Sequence, residues 1–296
     1  MSTGPGSRRP SGTRPPGPER ATPAGRKVLA IIIPILALVI IVLGLFVWNG
    51  GGGGDGSGSA TATTPLVDVL FIEGLRRSQM AEIVETKTGI PAADYMAATD
   101  PSARGMRLAG TDAPTSLEGF LFPATYPVDP SKPVSALVDY QVATYEQRTE
   151  DITYAAALRK DLTKYDVLII ASLVEREAST AAERRLVAGV IENRLRADMR
   201  LDIDATVQYA VGSWKEELTQ DDLNSDSPYN TRRFFGLPPG PICNPGEDAI
   251  RAAANPTASD YLFYVAKNDG TDLHYFARTE DEHVANIRRA AANGGQ

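Results

Sequence analysis

Residues 166–179 read DVLIIASLVEREAS, a nearly all-apolar run that closes on Glu175-Arg176-Glu177. Thr163, three residues ahead of Asp166, sets the pattern of a capping box and predicts the start of a helix. An apolar helix belongs in a core. A carboxylate at its far end meets the partial negative charge of the helix dipole, which disfavours it. A local rule broken in this way marks a candidate functional site. Glu175 and Glu177 lie about 200° apart around a helix, so the two are not expected to face one cleft. Glu177 lies over Leu173 and Val174, with Ile170 a turn further back, and continues the bulkier apolar stripe. Glu175 lies over Ala171 and Ser172. If the stripe is buried, desolvation and the helix C-terminus both raise the pKa of Glu177, which suits a general acid. A solvated helix end carrying charge gives the same pattern, and the residues alone leave both readings open.

Downstream, Thr180 with Glu183 opens a second helix whose Leu186, Val187, Val190, Ile191 and Leu195 keep helical spacing. Residues 191–206, IENRLRADMRLDIDAT, then bring Asn193, Asp202 and Asp204. Asp204 is either the second carboxylate of a glycosidase pair or the cap of a short helix over 205–211. The run SPYNTRRFFGLPPGPICNP (227–245) supplies hydrogen-bonding groups and an aromatic face in Tyr229, Asn230 and Thr231. Its glycines and prolines make a stiff loop, fit to wall a sugar-binding groove or simply to connect two elements. Asn244-Pro245-Gly246-Glu247 reads as a helix start with Asn244 as N-cap. Residues 261–266 and 273–277 flank Asn268-Asp269-Gly270, a hairpin signal. Thr279 with Glu282 starts a final helix.

Upstream, 67–72 reads as a strand and 76–88 as a helix stopped by Gly89, with Pro91 suited to open the next. TSLEGFLFPATY (115–126) is strand or irregular, and 134–148 is an amphipathic helix. The fold class expected is α+β, mainly helical with small β elements, and one transmembrane helix precedes it. That span is 28–48, VLAIIIPILALVIIVLGLFVW, 21 residues without a charge. As a helix it measures about 31 Å, close to the hydrocarbon thickness of a bilayer. A signal peptide has a shorter apolar region followed by a cleavage site. Residues 1–27 form a Pro/Gly/Ser/Arg tail expected to be disordered, and 49–64 a flexible Gly/Ser/Thr linker. The folded part divides into an N-terminal portion (65–160) and a catalytic portion (161–292). Because the basic flank precedes the span, the N-terminus is expected in the cytoplasm and the folded part outside, on a single-pass cell-membrane protein.

The tail holds six basic residues and one acid. The remaining chain holds 24 basic and 36 acidic residues, a net charge of −12 that argues against nucleic acid as a ligand. The single cysteine, Cys243, excludes an internal disulfide and reads as a small core filler. The two histidines, His274 and His283, lack metal-ligand spacing. Neither a dinucleotide fingerprint, a phosphate loop nor a GxSxG elbow occurs. No cofactor is expected.

Three blocks in one order resemble the endolytic murein transglycosylases, the MltG or YceG-like family: ASLVEREAS (171–179), VIENRLRADMRLDIDATVQYAVG (190–212) and SPYNTRRFFGLPPGPICNPGEDAIRAAANP (227–256). TSLEGFLFPATY and SDYLFYVAKNDGTDLHYF (259–276) agree with it. The resemblance covers roughly residues 67–290. It implies a lytic-transglycosylase-like core and one catalytic glutamate, which falls on Glu177. It implies cleavage of the bond between N-acetylmuramic acid and N-acetylglucosamine within peptidoglycan strands. Glu177 would protonate the glycosidic oxygen and then, as carboxylate, act as base on the sugar's 6-hydroxyl, closing a 1,6-anhydro ring. Asn193, Asp204, Gln208, Tyr229, Asn230 and Thr231 are the substrate-binding candidates. Partners implied are the glycan strands, the bilayer through 28–48, and the cell-wall synthases (penicillin-binding proteins). Two departures are visible. The family's LysM-like subdomain is missing or much reduced between Thr64 and VDVLFIEGLRRSQ, and Ala124 stands where an acidic residue is expected. Rival readings are a muramidase-type hydrolase using Glu177 and Asp204, and a non-catalytic membrane-tethered wall scaffold.

Overall fold

The computed structural model of the protein describes residues 65–101, 116–212, 215 and 217–294. The tail, span and linker expected over 1–64 lie outside the described residues. Among the described residues no helix is long and apolar enough to cross a membrane. The chain runs β1 (Val67–Leu70), α1 (Arg77–Thr88), α2 (Ala92–Ala98), β2 (Thr125–Val128), α3 (Ser135–Thr149), α4 (Ala155–Leu158), α5 (Lys164–Glu177), α6 (Ala181–Arg196), α7 (Asp204–Ala210), α8 (Gln220–Leu223), α9 (Glu247–Ala254), β3 (Phe263–Ala266), β4 (His274–Ala277) and α10 (Glu280–Asn293). The result is a helix-rich mixed fold with two small antiparallel sheets, β1–β2 and β3–β4.

The helix expected around 166–179 is α5, and it is the centre of the core. The Thr163 hydroxyl accepts the Asp166 N–H at 3.1 Å while the Asp166 carboxylate accepts the Thr163 N–H at 2.7 Å. This reciprocal pair satisfies two of the N–H groups that a helix start leaves open. Every residue from Val167 to Val174 is buried. A helix covered all round needs neighbours on every side, and α6 and α9 pack against it. The α9 face is almost all alanine, with Ala249, Ala252, Ala253 and Ala254 buried beside Ile250, so the backbones approach closely. On α6, Gly189 serves the same end: a Cβ there would lie 2.6 Å from the Thr257 carbonyl oxygen.

β1 pairs with β2 in register Val67↔Val128 to Leu70↔Thr125. β2 follows the expected irregular stretch: 116–124 is turns and bends, and only Thr125–Val128 is strand. Gly119 has φ +89°, and a Cβ there would lie 2.6 Å from Pro241 Cγ, so both the turn and the close approach require glycine.

Asn244 departs from its expected role. The N-cap of α9 is Gly246 and makes no side-chain cap. The Asn244 side chain is instead wholly buried. Its Oδ1 accepts the Gly119 and Leu121 N–H groups at 2.8 and 3.0 Å. Its Nδ2 donates to the Leu75 carbonyl at 3.0 Å and to Glu118 Oε1 at 2.9 Å. One amide therefore ties the chain before α1, the 118–121 turn and the loop before α9 together. The pull of four buried partners exceeds that of a solvent-edge cap.

Glu118, 4% exposed, also accepts the Arg77 N–H at 2.8 Å and faces the Tyr209 hydroxyl at 3.4 Å. Burial pushes its carboxyl up to about 7, against the Arg77 N–H and the charges of Arg77 and Arg76, which pull it down. An unfolded glutamate titrates near 4.5. Between these values the folded chain holds a proton that the unfolded chain has released, so this group's contribution to stability falls as pH rises from about 4.5 to about 7. Glu118→Gln keeps the acceptor oxygen and removes the charge. Thermal melts are expected to show the variant more stable than wild type at pH 8, by up to ~3 kcal/mol, and the two curves merging near pH 4.5.

Candidate active site

Glu177 is the last residue of α5, and Ala178 leaves the helix in extended conformation. The carboxyl is partly buried where the apolar run meets a polar cleft. Burial pushes it up to about 7. The Tyr264 hydroxyl, donating to Oε2 at 2.9 Å, opposes that rise. The charge of Asp204 adds to it, and those of Arg176 and Arg232 reduce it. A carboxyl group balanced near neutrality can give up a proton and take one back at the same pH, which is the property general acid–base chemistry needs.

A cavity of about 580 Å3 opens over the end of α5, lined by Glu175, Glu177, Arg184, Asn268, Asp272 and His274 among others. Glu175 and Glu177 thus border the same cleft, against the expectation from their 200° separation. The cavity wraps round the helix end, so both side chains of the last turn reach it. Their chemistry still differs. Glu175 Oε2 accepts the Gly246 N–H at 3.0 Å, and its Oε1 pairs with Arg184 at 3.4 Å. Those bonds occupy both oxygens and fix Glu175 as a strut between α5, α6 and the start of α9. A second cavity of about 410 Å3 lies on the other side of Arg176, which lines both. The second is lined by Gly74, Arg76, Ser78, Gln79, Glu82, Ala205, Gly212 and Ile242.

Asp204 is the first residue of α7, and it does not cap that helix: the N-cap is Ile203, with no side-chain bond. The carboxylate instead accepts from Arg232 Nε, a charged partner that outcompetes a backbone N–H. It stands close enough to Glu177 for its charge to be felt there. Tyr229 is half-buried, its ring 4.7 Å from that of Tyr209. The other four substrate-binding candidates hold backbone. Asn193 donates to the Ser259 and Tyr261 carbonyls at 2.8 and 2.9 Å. Gln208 brackets Lys215, accepting its N–H at 2.8 Å and donating to its carbonyl at 2.7 Å. Asn230 donates to the Leu223 and Ser225 carbonyls at 3.0 and 2.9 Å. The Thr231 hydroxyl accepts the Ile203 N–H at 3.1 Å and meets Thr206 Oγ1 at 2.9 Å. None of the six substrate-binding candidates lines either cavity. Asn193 pins the segment before β3, while Gln208, Asn230 and Thr231 shape the loops around Asp204 and Tyr229.

Tyr264 and His274 were not singled out from the sequence. Both come from the β3–β4 hairpin, where Ala266 pairs with His274. Their rings meet edge to face at 5.4 Å. Glu183 fixes His274 at two points, accepting its N–H at 2.8 Å and lying 2.9 Å from Nδ1. Burial, then the nearby Glu177 charge, push the Tyr264 phenol well up, so it remains a donor. Tyr264→Phe removes the bond that lowers the Glu177 pKa. The alkaline limb of the pH–rate profile is therefore expected to move to higher pH, and kcat to fall about tenfold with KM little changed. Cys243 is wholly buried, with its thiol pushed well up by burial, as a filler would be. No group of His, Cys, Asp or Glu among the described residues could hold a metal ion.

The sequence model of the YceG-like family matches residues 57–289. The chain is 41% identical over 169 residues to a Bacillus subtilis (strain 168) protein named endolytic murein transglycosylase; the match covers 56% of this chain and 46% of that one. A Streptococcus pneumoniae (strain R6) protein of the same name is 40% identical over 177 residues, covering 58% of this chain and 32% of the relative. The match thus spans less than half the length of these curated relatives. A crystal structure of a YceG-like protein from Listeria monocytogenes superposes with a TM-score of 0.64 at 32% identity, over 74% of this chain and 75% of that one.

Proposed function

The chain belongs to the YceG-like family, and from that premise we propose that it is a membrane-anchored endolytic lytic transglycosylase of peptidoglycan. Glu177 carries the reading. It is a carboxyl near neutrality at the end of a buried helix, with one oxygen engaged by Tyr264 and the cleft before it. Its proton passes to the glycosidic oxygen as the bond from that oxygen to the N-acetylmuramic acid C1 breaks. The carboxylate then takes the proton of that sugar's 6-hydroxyl while O6 bonds to C1, so no water is consumed. One carboxylate serves both steps. Asp204, held by Arg232, and Tyr229 then contact the strand, while Gln208, Asn230 and Thr231 hold the loops around them and Asn193 holds the segment before β3. A cleft over Glu177 that continues past Arg176 into a second cavity suits attack within a strand rather than at its end. The division at 160/161, the span at 28–48, an extracytoplasmic catalytic part and work beside cell-wall synthases complete the proposal.

The nearness of Asp204 to Glu177 favours one rival, a muramidase in which Asp204 activates water. Digestion of purified peptidoglycan separates the two by product mass. Strands ending in 1,6-anhydro-muramic acid support the transglycosylase, and reducing ends heavier by one water support the hydrolase.

A further inference from the structure

We propose that His274 is a substrate-binding residue of the Glu177 cleft: its Nε2 accepts the acetamido N–H of the sugar beside the bond that is cut, and Glu183 positions it through the other ring nitrogen. The proposal rests on the reading of Glu177 as the group that cuts the strand. His274 is the first residue of β4 and lines the same cavity as Glu177. Its ring stands edge-on to that of Tyr264, at an interplanar angle of 89°, and Tyr264 in turn holds Glu177. The two ring nitrogens are not equivalent. Nδ1 lies 2.9 Å from Glu183 Oε2. An ionised carboxylate only accepts, so Nδ1 carries the proton and the neutral ring keeps a lone pair on Nε2. Among the described residues Nε2 has no hydrogen-bond partner, and it is not one of the buried polar atoms left unpaired. It is the ring nitrogen left to serve the cavity.

Glu183 makes this arrangement at a local cost. It is the third residue of α6, where an acid ordinarily closes a capping box with the N-cap threonine. At α5 and α8 both halves of that box are present. At α6 Thr180 accepts the Glu183 N–H, but the carboxylate does not return the bond. It reaches 91 residues along the chain, and both its oxygens go to His274, one to the backbone N–H and one to the ring. The backbone bond alone would clamp the hairpin to α6. The second bond fixes the ring and its tautomer, which a clamp does not need. A fixed acceptor suits a fixed donor. A sugar hydroxyl turns to meet either kind of partner, whereas an acetamido N–H only donates. On the mechanism proposed above, the 6-hydroxyl gives its proton to Glu177. The acetamido group stands on C2, next to the C1 that is attacked, so its N–H is the donor that an acceptor beside Glu177 matches.

The test uses the purified full-length protein carrying Glu177→Gln, and peptide-free glycan strands with their acetamido groups either free or N-methylated. Nitrogen-15 NMR at pH 8 is expected to show His274 neutral with its proton on Nδ1. Calorimetry is expected to show the N-methylated strands binding about tenfold more weakly. His274→Phe keeps a ring against Tyr264 and is expected to lose the same tenfold, and the discrimination with it. His274→Gln, whose amide oxygen takes the place of Nε2, is expected to recover most of both. Glu183→Gln separates positioning from clamping. Its oxygen must accept the His274 N–H, so its amide NH2 faces Nδ1, drives the ring proton to Nε2 and turns the acceptor into a donor. Both bonds persist, yet affinity is expected to fall about tenfold with the proton found on Nε2. A proton on Nε2 while Glu183 is present overturns the proposal. So does equal binding of the two strands, or a penalty for N-methylation that persists in His274→Phe. None of these measurements needs turnover. If they come out as expected and wild type cuts nothing, the cleavage reading fails and the binding role stands.

Discussion

Glu177→Gln is expected to lower glycan cleavage about a thousandfold or more, with the fold intact. General acid–base catalysis contributes roughly 10²–10⁴ in rate, and here the same group is assigned to both proton transfers. Glutamine keeps an oxygen to accept from Tyr264 (Oε2 at 2.9 Å in the wild type), so the side chain keeps its place while losing its proton. Removing a carboxyl that burial pushes up to about 7 also removes a charge that is unfavourable above that pH. The variant is therefore expected to melt no lower than wild type at pH 8. Release of soluble fragments from peptidoglycan, read by mass spectrometry, measures the effect. Equal rates from the two proteins would sink the assignment of Glu177. Absence of cleavage by wild type would favour the scaffold reading.

Asn244→Ala is expected to cost about 3–5 kcal/mol, enough to lower the melting temperature by roughly 10 °C or more. The amide serves two buried N–H groups, the Leu75 carbonyl and Glu118. Truncation leaves the two N–H groups unpaired over a small void, while the Leu75 carbonyl and Glu118 keep one bond each, and the penalty for the unpaired pair is larger than the net value of the bonds themselves. Asn244→Asp makes a sharper comparison. It keeps the acceptor for Gly119 and Leu121 but turns an oxygen toward Glu118, so its deficit should widen as pH rises through 7. A thermal shift within a degree or two for Asn244→Ala would show that the 74–75, 118–121 and 244 segments are held by something other than this amide.

The difference in reach between these contacts explains what could be read from the sequence. α5 was legible because each of its signals is local: a capping box spanning three residues and an apolar run. The starts of α6 and α10 were legible for the same reason, through Thr180 and Thr279. The bonds of Asn244 span 123 to 169 residues, and that between Tyr264 and Glu177 spans 87. No periodicity records such pairings, so Asn244 read as a cap and Tyr264 as one more aromatic in a strand. The family blocks drew attention to polar residues without telling a side chain that faces a groove from one that holds a loop. Asn193, Gln208, Asn230 and Thr231 are of the second kind by their partners. The preference for Glu177 over Glu175 rested on which side of α5 carries bulk, a property the sequence does hold.

The β3–β4 hairpin, which carries the hydroxyl bonded to Glu177, is joined to the core largely by polar contacts. Its covering helix, α10, buries only Ala290 and leaves Val284 and Ile287 exposed. Much of its attachment is polar, through Asn193, Arg194 and Glu183 of α6. Elements with few buried apolar contacts open at lower free energy than the core they rest on. Amide hydrogen exchange should accordingly divide the site in two. α5 and its glutamate belong to the slowest-exchanging unit, and Tyr264 and His274 to a unit that detaches first. On the function proposed above, a strand too long to thread lengthwise would be admitted sideways through that opening, with Glu177 left standing on the rigid half.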